Sequence, residues 1–136
     1  VDLLAQPKAQ YFAKVLKPGG YKTSLFMLGW TPDTLDSQNV LHDIMGCRDD
    51  PKDPNRGEAN LAGYCNKQFD ELADKVLVES DTAKRDLLIK QAFEVSMKDW
   101  AYVPLHQQAL AWGVSKKVKL VQRADNQVLF YWATMD

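Results

Sequence analysis

Asp33 closes the pentapeptide GWTPD (29–33), three residues past Trp30 and at the exit of the most apolar short run of the chain, SLFMLGW. A carboxylate beside an indole suits a cationic group such as an ammonium. The acid supplies the charge, and the ring a flat apolar wall with a cation–π face. The same five residues also suit a strand-ending turn, with Gly29 for close approach, Pro32 to fix the backbone and Asp33 to bond nearby amides. Local pattern leaves both readings open. Position speaks for the first, because ligands of open α/β sheets lie beyond the carboxyl ends of strands.

Other reactive side chains are sparse. His106, in VPLHQQ, together with one of the acids, is the basis of an alternative reading as a hydrolytic enzyme domain. No Ser or Cys nucleophile is spaced to work with it, so a structural or pocket-lining role is expected and no catalytic residue is assigned. His42 is expected on a helix surface. The acid-rich stretch RDDPKDPNRGE (48–58) invites a calcium reading, yet it lacks the acids or amides at positions one, three and five followed by Gly that an EF-hand loop requires. A solvated loop is expected there, with no metal and no cofactor. Cys47 and Cys65 flank that loop. Two thiols without a pair of histidines do not make a zinc site, and a disulfide and two free thiols both remain open. A disulfide here implies an oxidising compartment.

The elements that must position these groups alternate. Pro7 opens a helix carrying Ala9, Phe12, Ala13 and Leu16, which Pro18, Gly19 and Gly20 stop. Residues 25–30 are short and apolar and predict a buried strand. Leu35, Val40, Leu41 and Ile44 mark a short helix after Pro32, and the proline-rich stretch 47–62 reads as loop with little to bury. Asn66 is placed to cap a helix with the stripe Phe69, Leu72, Ala73, Val76 and Leu77. Ser80 or Asp81 caps the next, whose apolar residues Leu87, Leu88, Ile89, Ala92, Phe93, Val95 and Met97 cover so wide an arc that burial on more than one side is expected. Beyond it, 101–114 reads as extended chain broken by Pro104, and 127–135 as a strand. The fold class is therefore α/β. Its strands are too few to close a sheet alone, so a neighbour, or the rest of a longer protein, is expected to cover them. The opening VDLLAQ, with neither Met nor a signal-peptide pattern, leads to the same expectation.

The chain has 136 residues, 46% hydrophobic and 26% charged, with a formal net charge of −1, the composition of one globular domain with a real core. The lack of a basic block speaks against nucleic acid as the main partner, and no apolar run approaches the ~20 residues of a membrane helix.

Several stretches together resemble the C-terminal part of the extracellular solute-binding proteins of family 5. They are GWTPD, NLAGYCNKQFDELADKV (60–76), ESDTAKRDLLIKQA (79–92) and AYVPLH (101–106). These proteins are the peptide- and nickel-binding subunits of ABC importers, and include dipeptide- and oligopeptide-binding members. The resemblance runs from about Gly29 onward and takes in only the last quarter or so of a full member. It implies a fragment of the second lobe of a type II periplasmic binding protein-like fold, closing with a first lobe over a ligand. Residues 1–109 would belong to the C-terminal lobe, and 110–136 would form a tail returning to the first lobe, the crossing falling near 107–110. It implies that Asp33 pairs with a ligand ammonium, that Trp30 lines the site, and that Gln107 or Gln108 adds a pocket contact. It implies a Cys47–Cys65 disulfide, as in dipeptide-binding relatives. The expected role is transport rather than catalysis, with a peptide or similar amine-bearing solute and a membrane permease as partners. The expected location is the periplasm, or the cell exterior with a membrane anchor in a Gram-positive host. The chain by itself is expected to dimerise or swap its tail, and a non-catalytic dimerisation module is the other alternative.

Overall fold

A computed structural model describes residues 2–17, 24–32 and 34–136. Asp33 and the helix stop expected at 18–20 lie outside the described residues. Helix α1 spans Lys8–Val15. Helix α2, Ser37–Asn39, runs directly into a π-helical turn at Val40–Ile44. Helices α3 (Lys67–Val78) and α4 (Thr82–Lys98) follow. Strand β1 (Val118–Lys119) pairs antiparallel with β2 (Thr134–Met135), Val118 opposite Met135, and a 3-10 turn at Phe130–Trp132 precedes β2. Helices with one small sheet are consistent with the α/β class, although the helices dominate.

The helical hairpin follows from local signals. Asn66 adopts extended backbone and its side-chain oxygen accepts from the backbone N–H of Gln68 (2.9 Å) and Phe69 (3.3 Å), which starts α3. Asp81, rather than Ser80, caps α4 by accepting from the Lys84 N–H at 2.9 Å. Phe69, Ala73 and Val76 recur at i, i+4 and i+7 and are buried against Leu41, Met45 and Ala92. Removing a side chain like Phe69 from water is worth about 1.5–3 kcal/mol. Half-buried Leu72, Leu88, Ile89, Phe93 and Tyr102 complete this core. Arg85 fastens the hairpin to α2: its Nη2 donates to Asp36 at 2.8 Å and its Nε to the Val76 carbonyl at 3.2 Å. Asp36 also caps α2 through the Gln38 N–H.

Three sequence expectations differ from what is observed. Residues 25–30 form no strand, and Leu25 is 78% exposed rather than buried. The Tyr11 hydroxyl takes a strand partner's place at Met27, donating to its carbonyl at 2.5 Å and accepting its N–H at 2.9 Å. Helix α4 is covered on one side: Ala92 is buried against α3, while Leu87 and Met97 stay exposed. The predicted strand 127–135 shrinks to two residues, because only 118–119 offers it a ladder.

Candidate functional site

Trp30 is fixed by its indole. Its Nε1–H donates to Asn39 Oδ1 at 2.7 Å, while the residue stays 47% exposed. The amide of Asn39 then donates to Asp43 Oδ2 at 2.5 Å. Asp43 Oδ1 lies 2.6 Å from His42 Nδ1, and His42 Nε2 lies 2.7 Å from Asp53 Oδ2. One unbroken chain of polar contacts therefore runs from the indole of GWTPD, along α2 and the π-turn, into the loop 48–58. Neither His42 on a helix surface nor a freely solvated loop describes what is observed.

That loop is organised around Arg56, which is only 7% exposed. Its guanidinium bonds Asp74, lies 3.4 Å from Asp70 and 3.7 Å from Asp50, and its Nε is 3.9 Å from Asp53. Asp70 in turn accepts the Cys47 N–H at 3.1 Å. Burial raises the Asp70 carboxyl above its ordinary value, outweighing the opposing pull of that N–H and of Arg56. Gly46 and Gly57 make the approach possible. A Cβ on Gly46 would meet Arg56 Cγ at 2.5 Å, and Gly57 takes a left-handed φ of +66° with the Gly46 carbonyl 2.5 Å from where its own Cβ would stand. Gly29, by contrast, faces open space, so the close approach expected of it in GWTPD is not what it provides.

Asn60 is buried and bonded at both ends of its amide. It donates to the carbonyls of Gly46 and Tyr64, both at 2.7 Å, and its oxygen accepts from the Gly63 N–H; the Tyr102 hydroxyl lies 3.1 Å from the same oxygen and 2.6 Å from the Ile44 carbonyl, which share its one proton. The Cys47–Cys65 disulfide closes the loop, so the free-thiol option and a cysteine nucleophile both fall away. Burial disfavours the His42 cation, but the hydrogen bonds to Asp43 and Asp53 outweigh it and raise the imidazole above its ordinary value. The same contact keeps Asp53 below the usual carboxylate range.

The other sequence-predicted groups lie apart. Gln107 and Gln108 are exposed on an irregular stretch, and no hydrogen bond joins either to Trp30 among the described residues. His106 is exposed on the same stretch. No cluster of three or more metal-binding side chains occurs among the described residues, and no helix among them is long and apolar enough to cross a membrane. Sequence reasoning missed His42, Asn39 and Arg56. A signal was available for Arg56 alone: it lies between Gly46 and Gly57 in the stretch that the two cysteines flank.

No family model matches the chain, and no solved structure matches it significantly. The chain is similar to Heme-binding protein A of Haemophilus influenzae, at 26% identity over 126 residues, which is 92% of this chain and 22% of that protein. It is also similar to Peptide transport periplasmic protein SapA of the same organism, at 24% identity over 82 residues, or 60% of this chain and 14% of that protein. The chain thus spans less than a quarter of the length of these curated relatives. The two similarities support a distant relation to the solute-binding proteins that the sequence resembles.

Proposed function

We propose that this chain is part of the substrate-binding component of an ABC importer, taking up a peptide or similar amine-bearing solute between two lobes and delivering it to a membrane permease. What carries this reading is the similarity, along 92% of the chain, to one binding protein and, along 60%, to a peptide transport protein. Asp33 is the ammonium anchor, and Trp30 is the wall beside it. The pinned and half-exposed Trp30 indole agrees with that role, since a wall residue must keep its orientation while its face stays open. Gln107 and Gln108 add contacts from the stretch that crosses toward the other lobe. Residues 1–109 belong to the C-terminal lobe, and 110–136 return to the first. The exposed aromatic side chains of Phe130 and Tyr131 suit a tail that packs against something outside this chain. Closure over the ligand then signals the loaded state to the permease, and no bond is made or broken. The protein works in the periplasm, or outside the cell on a membrane anchor.

The test is calorimetry on the full-length protein with peptides bearing a free or an acetylated amino end. Asp33→Asn is expected to weaken binding of the free-amine peptide by about 2–5 kcal/mol, the usual penalty for breaking a buried charge pair. Unchanged affinity removes Asp33 from the site, and turnover of peptide or ester substrates ends the transport reading.

A further inference from the structure

We propose that protonated His42 is a positioning residue for the Trp30 indole, acting through Asp43 and Asn39, so that the orientation of this wall depends on pH. The relay stands on geometry alone; only its consequence for ligand capture rests on the binding role proposed above.

Both ring nitrogens of His42 lie at hydrogen-bond distance from a carboxylate oxygen, 2.6 Å to Asp43 and 2.7 Å to Asp53. A neutral imidazole carries one N–H and one lone pair, so it satisfies one such contact and sets a lone pair against the anion at the other. The imidazolium alone satisfies both. The two oxygens of Asp43 are divided between His42 and the Asn39 amide. The two ends of that amide are divided between Asp43 and the Trp30 N–H. Each group is therefore oriented by the one before it, and polarisation passes along the chain. Loss of the His42 proton withdraws the charge that holds Asp43 and loosens the next two links.

The charged groups around His42 come from three elements. Asp43 lies on its own π-turn. Asp53, Arg56 and Asp50 come from the loop, with Arg56 next to Asp53, and Asp70 and Asp74 come from α3 on the far side of Arg56. Arg56 offsets part of the negative field of Asp50, Asp53, Asp70 and Asp74. Asp43 has no such cation within bonding distance among the described residues, which makes His42 its counter-ion.

The experiment is nitrogen–proton NMR of the tryptophan indoles, the Trp30 signal being the one that Trp30→Phe removes. From about pH 5 to about pH 9, that signal is expected to move with a midpoint equal to that of the His42 ring and above an ordinary histidine's ~6.5. In His42→Gln it stays flat. In Asp53→Asn, which removes one of the two carboxylates, both midpoints move together to lower pH. A Trp30 signal that stays still across this range, or that titrates unchanged in His42→Gln, overturns the proposal. Should His42→Gln fail to fold, Asp53→Asn decides, because an indole midpoint that stays put while that of His42 moves overturns it equally. Since no ligand is present, failure here leaves the calorimetric test of Asp33 untouched.

Discussion

The loop 48–58 and the tail 110–136 invert the usual relation between polarity and burial. The loop is made of acids, bases, prolines, one asparagine and one glycine, yet its Arg56 is 7% exposed. The tail carries three consecutive aromatics, and Phe130 is 80% exposed. The difference lies in the partners each finds. Arg56 meets Asp70 and Asp74 on a helix that already has its own core, and its loop is tied down by a disulfide and by the hydrogen bonds of Asn60 to Gly46, Gly63 and Tyr64. Phe130 has a two-residue ladder beside it and, among the described residues, no core beneath. A burial site is a property of the surroundings, and a charged side chain with matched partners can take it where an unmatched ring does not.

The sharpest way to break this comparison is at Arg56. Arg56→Ala leaves Asp70 buried beside Asp74 with no cation, and a loss of about 3–5 kcal/mol is expected in chemical denaturation. A loss near zero would make the loop as peripheral as the tail. Opening the disulfide, by reduction or by replacing Cys47 and Cys65 with Ser together, frees an 18-residue separation and is expected to cost about 3 kcal/mol, read as a lower denaturation midpoint.

A smaller effect is expected from pH. The folded pKa of His42 is raised, so the stability it contributes is fully present below its unfolded value of about 6.5 and is lost as pH rises through the higher folded value. Denaturation midpoints should fall over that window in the native sequence, and this particular slope should vanish in His42→Gln. The smallest change is expected in the tail. Phe130→Ala should alter stability by less than about 0.5 kcal/mol, as for other exposed positions. A larger loss would show that the tail is packed in solution, and would dissolve the contrast with the loop.

The legible parts of the fold were those with local causes. Asn66 and Asp81 cap α3 and α4 where their side-chain chemistry places them, and Phe69, Ala73 and Val76 face the core at helical spacing. The run 25–30 misled because an apolar stretch makes a strand only when another backbone is there to pair with it, and here a tyrosine hydroxyl meets Met27 instead. The second apolar side of α4 misled for the same reason, since its arc predicts a cover that nothing among the described residues supplies. In the candidate site, Trp30 was legible as an indole next to an acid. Asn39, which holds it, was not, because an asparagine three residues past a helix cap carries no mark of its bond to Trp30.

Caps and periodicity were enough to establish the helices α3 and α4 and the Phe69, Ala73 and Val76 part of their buried stripe, since each depends on residues close in sequence, whereas the closing of Cys47 onto Cys65 was left open by the residues themselves and decided by the structure. The burial of Arg56 and the clamping of His42 between Asp43 and Asp53 came from the folded arrangement. Such groups gain their energy by displacing water with charges that only long-range packing brings within reach, and no spacing along the chain encodes which charges those will be.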